Sequence, residues 1–238
     1  MGKIEEIIAK YLVPEDKFIY GFADLNGLLD PKFDGLNYGI SIGRKLDDKI
    51  VDPVILGPTK EYYSHYRQIN EELKQLTIQI SKDLNTIGIE SLNIEPTVST
   101  TDLDSKYSLT LRTDLSHKMV ATRAGLGWIG KTDLFISKKI GPRLRLVSIL
   151  IKIPVIPKSV PIDKSRCGNC NLCVDICPAK AANGLLWNIN IKREDFFDPW
   201  KCRKQCAEFG RMRLGLDARV CGMCVAICPV GRKMAEYN

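Results

Sequence analysis

The cysteines constrain this 238-residue chain more than any other feature, because all nine of them lie after residue 166. Residues 167–178 follow the pattern C-x2-C-x2-C-x3-C-P, the spacing by which bacterial ferredoxins hold 4Fe–4S clusters. Residues 221–229 repeat its last three cysteines and the following proline. The sequence therefore predicts two 4Fe–4S clusters in the C-terminal part of the chain.

Reciprocal exchange between the two motifs gives a ligand assignment, since the fourth cysteine of such a motif binds the neighbouring cluster. The first cluster is predicted to bind Cys167, Cys170, Cys173 and Cys228. The second is predicted to bind Cys177, Cys221, Cys224 and a detached ligand, which is either Cys202 or Cys206. A pair of zinc sites would also use closely spaced cysteines, but the four-cysteine spacing and the proline after both runs favour iron–sulfur clusters.

The composition excludes several other classes of protein. Hydrophobic residues make up 45% of the chain and charged residues 26%, which are ordinary values for a globular protein and not for a disordered one. The mainly apolar stretch of residues 146–151 is far too short to span a bilayer. Glu5 and Glu6 stand where a signal peptide would need apolar residues. We therefore expect a cytoplasmic protein that does not bind a membrane.

Hydrophobic periodicity predicts a mixed α/β fold for the first part of the chain. Helices are predicted over residues 3–12, 59–84 and 115–124, and strands over 17–22, 36–42 and 144–156. The polar stretch 96–116 is predicted to be a connection that controls access to a site. Residues 161–238 hold 13 Lys or Arg against 8 Asp or Glu, which suits an acidic electron donor. We predict two domains, 1–158 and 159–238.

A glycine-rich segment precedes the last predicted strand. Gly125, Gly127 and Gly130 match G-x-G-x-x-G, but a helix precedes them and no acidic residue follows at the spacing that a dinucleotide-binding fold requires. The segment therefore predicts a backbone that something approaches closely, with Lys131, Arg143 and Arg145 available for anionic groups. Close packing of a helix on a strand is the simpler interpretation of the same glycines.

The order of these motifs resembles that of epoxyqueuosine reductases and reductive dehalogenases. The run AGLGWIGKTDLFIS, then GPRLRLVSIL, then the double cluster motif carries the resemblance. It implies a nitroreductase-like α/β domain that binds base-off cobalamin, beside a ferredoxin-like domain with two 4Fe–4S clusters. It also implies that Cys202 is the detached ligand and that one set of residues helps to form the corrinoid pocket. That set is Gly125, Leu126, Gly127, Trp128, Gly130, Lys131, Gly141, Arg143 and Arg145.

The chain departs from the family pattern where the proton donor is expected. Epoxyqueuosine reductases carry Asp-Tyr-His on the first long helix, whereas this chain has Tyr63-Ser64-His65. Tyr63 is therefore the predicted acid, since a phenol is protonated at neutral pH. The sequence also ends at Asn238, from which we expect no C-terminal tRNA-binding repeats. His117 lacks the sequence context of a cobalt ligand and is expected to be a polar residue at a helix start.

Several functions are compatible with these features. The first is an oxidoreductase that takes electrons from reduced ferredoxin or flavodoxin and reduces a small substrate at cobalamin. The second is an electron-transfer protein that reactivates a separate corrinoid protein. A third, action on tRNA as in the longer relatives, is not expected, because the chain shows no basic stripe with interleaved aromatic residues. FMN in place of the corrinoid is the remaining alternative, because nitroreductase-like folds commonly hold flavin.

Overall fold

The helices and strands follow the hydrophobic periods of the sequence. In a computed structural model, which describes residues 2–97 and 105–232, the first long helix spans Lys60–Thr86. It buries Ile69, Leu73, Ile80 and Leu84, which are spaced by four or seven residues along one face. Gly88 follows with a φ of 78°, a left-handed conformation that glycine adopts readily at a helix end. The predicted helix over 59–84 is thus confirmed.

Apart from this long helix, the helices and strands are short. The helices are α1 (Gly2–Tyr11), α2 (Asp48–Val51), α3 (Lys60–Thr86), α4 (Ser105–Thr110), α5 (His117–Arg123), α6 (Leu172–Asp175), α7 (Arg193–Phe196), α8 (Pro199–Phe209) and α9 (Met223–Ile227). The strands are β1 (Phe18–Asp24), β2 (Tyr38–Lys45), β3 (Ser91–Ile94), β4 (Gly127–Ile129), β5 (Phe135–Ser137) and β6 (Leu144–Ile151). The predicted mixed α/β class is confirmed.

The main sheet has four strands in the order β1-β2-β6-β3. Strands β1 and β2 pair antiparallel, with Phe18 opposite Arg44, and β3 pairs antiparallel with β6, with Ser91 opposite Ile151. A separate antiparallel hairpin joins β4 to β5, with Trp128 opposite Ile136. The glycine-rich segment therefore forms a β-hairpin, which the sequence did not predict.

The chain divides into two compact units that interleave along the sequence. The first unit comprises residues 1–45, 68–126 and 145–162, and the second comprises 46–67, 127–144 and 163–238. The second unit thus combines the cysteine region with α2, the start of α3 and the β4–β5 hairpin. The division into domains 1–158 and 159–238 stays a prediction.

The core of the first unit packs the main sheet against helices. A cluster of buried apolar side chains joins β1 and β6 to α5, and it includes Ala23, Leu25, Val120, Ala124 and Leu150. Burial of this apolar surface provides most of the stability of such a unit.

Two further predictions concern the rest of the chain. The predicted connection over 96–116 contains α4, while residues 98–104 lie outside the described part of the chain, so its role at a site stays a prediction. Among the described residues, no helix combines the length and apolar character that crossing a membrane requires.

Candidate iron–sulfur centre

Short helices in the second unit carry the two cysteine motifs. Cys173 lies on α6 and Cys224 on α9, and these two helices pack against each other. Cys228 follows α9 directly, in extended backbone. Gly222 starts α9 with a φ of 89°, and a Cβ atom there would come within 3.0 Å of Val54 and Tyr62 side-chain atoms. Glycine is therefore required at the point where the second motif turns into its helix.

The thiols predicted to hold the first cluster lie within electrostatic reach of one another. The pKa of Cys228 is raised to about 11, mainly by burial and also by the neighbouring Cys173, Cys167 and Cys170. Burial likewise raises the pKa of Cys173, with contributions from Cys167 and Cys170. The structure thus brings the last cysteine of the second motif to the first three cysteines of the first motif, as reciprocal ligand exchange requires.

A second group of thiols forms between α8 and the second motif. The Sγ atoms of Cys202 and Cys206, one turn apart on α8, lie 3.9 Å from each other. A hydrogen bond with Cys206 is the main cause that lowers the pKa of Cys221 to about 7. Another hydrogen bond with Cys206 is the main cause that lowers the pKa of Cys202. The pKa of Cys206 itself is raised by these two bonds. The thiols of Cys202, Cys206 and Cys221 thus lie together, and either Cys202 or Cys206 is placed to be the detached ligand beside Cys221.

The remaining predicted ligands complete this description. Cys224 is deeply buried, and burial raises the pKa of its thiol, as do the nearby Cys221 and Cys202. Cys177 is half-buried just beyond α6.

Among the described residues, no three Cys, His, Asp or Glu side chains lie close enough to hold a single metal ion. A cubane differs from such a site because its four thiolates bind four different iron atoms and lie farther apart.

Arg143 links α9 to another part of the second unit. Its guanidinium is 1% exposed and donates hydrogen bonds to Asp48 Oδ1 at 2.9 Å, Asp52 Oδ1 at 2.7 Å and the Ala226 carbonyl at 2.9 Å. Although partial burial of Asp52 opposes it, the bonds from Arg143 and Arg232 hold the pKa of that carboxyl below its usual value. Arg143 therefore anchors the helix that carries Cys224, a predicted ligand of the second cluster, and that directly precedes Cys228, a predicted ligand of the first.

The β4–β5 hairpin also contacts the cysteine region. The Trp128 indole N–H lies 3.4 Å from Cys167 Sγ, and the Lys131 amino group donates to Asn171 Oδ1 at 2.7 Å. Thr132 is 7% exposed and lies near Cys173 and Cys224. All three side chains of the hairpin are buried or nearly so. The structure therefore places the middle of the glycine-rich segment against the predicted cluster ligands.

The glycines of this segment are packed against protein. In the hairpin, a Cβ atom on Gly127 would overlap the Ile136 carbonyl, and one on Gly130 would meet the Ile136 side chain at 2.6 Å. A Cβ atom on Gly141, whose φ is 63°, would overlap the Val230 carbonyl beyond the last cysteine. Close chain packing thus accounts for these three glycines.

Three residues of the predicted corrinoid set belong to the first unit. Gly125 ends α5 with a φ of 69° and approaches Ser159 and Val160, while Leu126 packs on the core of that unit. The Arg145 guanidinium bonds to Asn70 Oδ1 at 2.9 Å and to Thr97 Oγ1 at 3.2 Å. The corrinoid-binding role of these residues, and of those in the hairpin, stays a prediction.

The predicted proton donor, Tyr63, lies in the first turn of α3. It is half-buried, and its ring stacks on that of Tyr66 with 6.4 Å between centroids and an angle of 12° between the planes. His65 accepts a hydrogen bond through Nε2 from the Asp47 backbone N–H at 3.0 Å, at the start of α2.

His117, at the first position of α5, forms hydrogen bonds within the first unit. Its Nε2 lies 2.9 Å from the Glu95 carbonyl and its Nδ1 2.9 Å from Ser148 Oγ. Burial, helped by the charge of Arg145, lowers the pKa of the imidazole to about 4. The ring is therefore neutral at pH 7, and because a carbonyl only accepts, the proton is on Nε2.

Sequence reasoning missed several residues of this site. Thr132, Asn171 and the Asp48–Asp52 pair were not singled out, although Thr132 directly follows the glycine-rich motif and Asn171 lies inside the first cysteine motif. Asn171, Asp48 and Asp52 bond to residues 40 or more positions away along the chain, and local patterns do not show such pairings. Only position relative to a recognised motif could have drawn attention to them.

Comparison with known proteins supports this description of the site. Residues 166–231 match the model of the 4Fe-4S double cluster binding domain. An epoxyqueuosine reductase of Pseudomonas aeruginosa is 30% identical over 138 residues, which cover 55% of this chain and 33% of the relative. The chain spans about a third of the length of the curated relatives that it matches in this way. Two cysteine-bound 4Fe–4S clusters are thus supported over zinc.

Solved structures show the same fold over nearly the whole chain. A reductive dehalogenase, whose structure suggested a mechanism for B12-dependent dehalogenation, superposes with a TM-score of 0.67 at 16% identity, covering 97% of this chain and 31% of that one. An epoxyqueuosine reductase with a tRNA stem loop gives a TM-score of 0.56 at 18% identity, covering 97% and 64%. The predicted resemblance to these two families is confirmed.

Proposed function

We propose that this chain is an iron–sulfur oxidoreductase that carries low-potential electrons through two 4Fe–4S clusters to a base-off cobalamin used for reducing a small substrate. The observation that carries the proposal is the placement of Cys228 among Cys167, Cys170 and Cys173. A cysteine from the end of the chain completes a set that begins 61 positions earlier. Two clusters that exchange ligands in this way lie close together, which favours rapid electron transfer between them.

The proposed ligand sets follow from the two groups of thiols. The first cluster would be held by Cys167, Cys170, Cys173 and Cys228, and the second by Cys177, Cys202, Cys221 and Cys224. Helix α9 carries Cys224 and directly precedes Cys228, and Arg143 anchors it through the Ala226 carbonyl. Since burial raises the pKa of Cys224 and Cys228, cluster binding would displace protons from these thiols.

The corrinoid part of the proposal is supported by the B12-dependent dehalogenation ascribed to the dehalogenase of the same fold. A bound corrinoid would supply a strongly reducing cobalt centre, which protein side chains cannot provide. Arg145 and the Gly125–Leu126 pair are the proposed contacts in the first unit. Lys131 and Arg143 are less suited to this role, because their charged groups are bonded to Asn171 and to Asp48 and Asp52. FMN remains the alternative cofactor.

Tyr63 is the proposed proton donor of the reduction. Its phenol hydroxyl can deliver a proton to a substrate atom that gains electrons. Replacement of Tyr63 by Phe should abolish turnover while the protein keeps its iron and its organic cofactor. Tyr66→Phe, which alters the ring stacked on Tyr63 in the same way, is the matched control and should stay active. A fully active Tyr63→Phe variant would exclude this role.

Action on tRNA is a second candidate, favoured by the sequence identity to epoxyqueuosine reductases, one of which has been solved with an epoxyqueuosine-modified tRNA stem loop. The sequence led us to expect no tRNA partner, and this similarity argues in the other direction. A gel-shift titration with modified and unmodified tRNA stem loops at moderate salt separates the two candidates. Specific retardation of the modified stem loop would favour tRNA, whereas no retardation would favour a small substrate.

The electron donor is proposed to be a reduced ferredoxin or flavodoxin. The basic excess of residues 161–238 would steer an acidic partner, so the rate of cluster reduction should fall as ionic strength rises. A rate indifferent to salt would contradict this choice of partner. If electrons reach the clusters but no cofactor is bound, the protein would instead be the electron-transfer protein that reactivates a separate corrinoid protein.

The decisive experiment is the cofactor content of protein reconstituted anaerobically with iron and sulfide and then offered cobalamin and FMN together. The proposal predicts about eight iron atoms and about one cobalt per chain, with an EPR signal of base-off cobalamin. Bound flavin without cobalt would show that FMN, and not cobalamin, is the cofactor. Eight iron atoms with neither cofactor would contradict substrate reduction by this chain.

A further inference from the structure

The β4–β5 hairpin holds two polar groups in fixed positions beside the first cysteine motif. Its strands pair with Trp128 opposite Ile136, and its turn closes through a hydrogen bond from Gly130 N to the Leu134 carbonyl at 2.8 Å. Trp128 is 6% exposed and Lys131 is 3% exposed. The hairpin and the motif belong to the same compact unit, so the contacts between them are contacts within that unit.

The indole of Trp128 reaches a predicted ligand of the first cluster. Its Nε1 atom lies 3.4 Å from Cys167 Sγ in a hydrogen bond. An indole N–H is a donor only, so the bond runs from Trp128 to the sulfur. In a bound cluster Cys167 is a thiolate, and an ionised acceptor strengthens such a bond. We therefore expect this contact to be retained when the cluster forms.

Lys131 places a buried positive charge beside the same motif. Its amino group donates to Asn171 Oδ1 at 2.7 Å, and Asn171 directly precedes α6, the helix that carries Cys173. The amide oxygen has no net charge, and in the part of the chain that the structure describes Lys131 forms no ion pair. A buried charge without a countercharge is unfavourable. An iron–sulfur cluster with four thiolate ligands is negatively charged and would supply that countercharge.

We infer that Trp128 and Lys131 raise the reduction potential of the first cluster, Trp128 through its bond to Cys167 and Lys131 as a buried positive charge. The inference rests on the proposed ligand sets. When this cluster accepts an electron, its ligand sulfurs become more negative, so both groups stabilise the reduced state more than the oxidised state. Because both side chains are buried, water screens these interactions only weakly.

The test is an EPR-monitored redox titration of the reconstituted full chain. Trp128→Phe removes the N–H and keeps an aromatic ring, whereas Lys131→Gln removes the charge and keeps a donor for Asn171. Each variant should shift the midpoint potential of the first cluster to a more negative value at unchanged iron content, and leave that of the second in place. Lys131→Arg, which keeps the charge, should restore the wild-type value. Cys224→Ser, which lacks a ligand of the second cluster, identifies the potential of the first.

Trp200→Phe and Lys180→Gln are the matched controls. Trp200 lies on α8 and is about half exposed. Lys180 is exposed, and its amino group donates to the Asp175 carbonyl at 2.9 Å, close to the first motif. Water and salt screen exposed groups of this kind. Both controls should therefore leave the potential of the first cluster unchanged.

A second measurement applies if Trp128→Phe binds less iron than the wild type. The chain has three tryptophans, so ¹⁵N-tryptophan incorporated into the double variant Trp187→Phe, Trp200→Phe labels Trp128 alone. Pulsed EPR of the reduced first cluster should then detect a hyperfine coupling to the indole nitrogen, and its absence would overturn the role of Trp128. If Lys131→Gln binds less iron, Lys131→Met replaces it, with the same shift expected.

The inference and the proposed function fail in different ways. An unchanged potential of the first cluster in either Trp128→Phe or Lys131→Gln, at full iron content, would overturn the role of that residue and leave the proposed function standing. A shift confined to the second cluster would overturn the inference as a whole. A wild-type protein that does not bind two 4Fe–4S clusters would instead overturn the proposed function, and this inference with it.

Discussion

The two compact units differ in the interactions that we expect to stabilise them. The first unit buries a continuous apolar core between a four-stranded sheet and helices, and its side chains Leu73, Ile80, Leu150 and Ile149 are fully buried. In the described part of the cysteine region of the second unit, half of the eight buried apolar residues are alanines, namely Ala181, Ala182, Ala218 and Ala226. Apolar burial stabilises the first unit, whereas we expect metal–thiolate bonds to provide much of the stability of the second.

The largest expected effect is that removal of iron unfolds the cysteine region of the second unit but not the first unit. Removal of the clusters with a chelator under anaerobic conditions should unfold the cysteine region, because structural metal binding of this kind contributes about 10 kcal/mol or more to folding. Hydrogen exchange should then be fast throughout residues 163–232 and remain slow in β1, β2 and β6. Equal protection of both units after iron removal would contradict the comparison.

The next largest effect concerns the detached ligand. Cys202→Ser should lose the second cluster and leave about four iron atoms per chain, because a serine hydroxyl is a poor substitute for a thiolate. Cys206→Ser, one turn further along α8, is the matched control and should keep about eight. Iron and acid-labile sulfide analysis measures both. The opposite result would make Cys206 the ligand and Cys202 the hydrogen-bond donor.

Truncation in the apolar core should destabilise the protein without changing its iron chemistry. Leu150 is fully buried in β6, so Leu150→Ala should lower the free energy of unfolding by about 2–5 kcal/mol. The iron content per folded chain and the EPR spectrum should be those of the wild type. Denaturant unfolding followed by circular dichroism measures the change in the free energy of unfolding. A loss of iron in this variant would show that cluster binding in the second unit depends on the apolar core of the first.

A smaller effect depends on pH and belongs to the first unit alone. Because burial lowers the pKa of His117 to about 4, the unfolded chain binds a proton below about pH 6.5 that the folded chain does not bind. Stability should therefore fall as the pH is lowered from about 6.5 to 4. The loss attributable to this group should be at most about 3 kcal/mol.

His117→Gln tests this pH dependence, since glutamine can still bond to the Glu95 carbonyl and does not titrate. The variant should show a flatter stability profile between pH 6.5 and 4 than the wild type. Identical profiles would mean that another group is responsible.

The comparison also explains what the sequence could predict. The predicted helix over 59–84 and the strands over 17–22 and 36–42 are close to α3, β1 and β2, because each packs one face on an apolar core and so shows the corresponding period. The cysteine motifs could be recognised in the sequence for a different reason, because the ligands of a cubane occur at fixed short spacings.

The hairpin and the ion pairs were not predictable in the same way. Gly127 and Gly130 suggested a close approach of the backbone, but only the fold shows that the partner is Ile136 across a hairpin. Arg143 was predicted to serve an anionic ligand, whereas its guanidinium bonds to Asp48 and Asp52, more than 90 positions away in sequence. Pairings between distant residues depend on the assembled fold and leave no local period.

The most direct test of the central claim, two clusters that exchange ligands between the motifs, is the iron content and EPR spectrum of Cys228→Ser beside the wild type. Cys228 belongs to the second motif but is assigned to the first cluster. The account predicts that the variant keeps about four iron atoms, in a cluster bound by Cys221 and Cys224, and loses the cluster bound by Cys167, Cys170 and Cys173. Retention of that first cluster with loss of the other would contradict it.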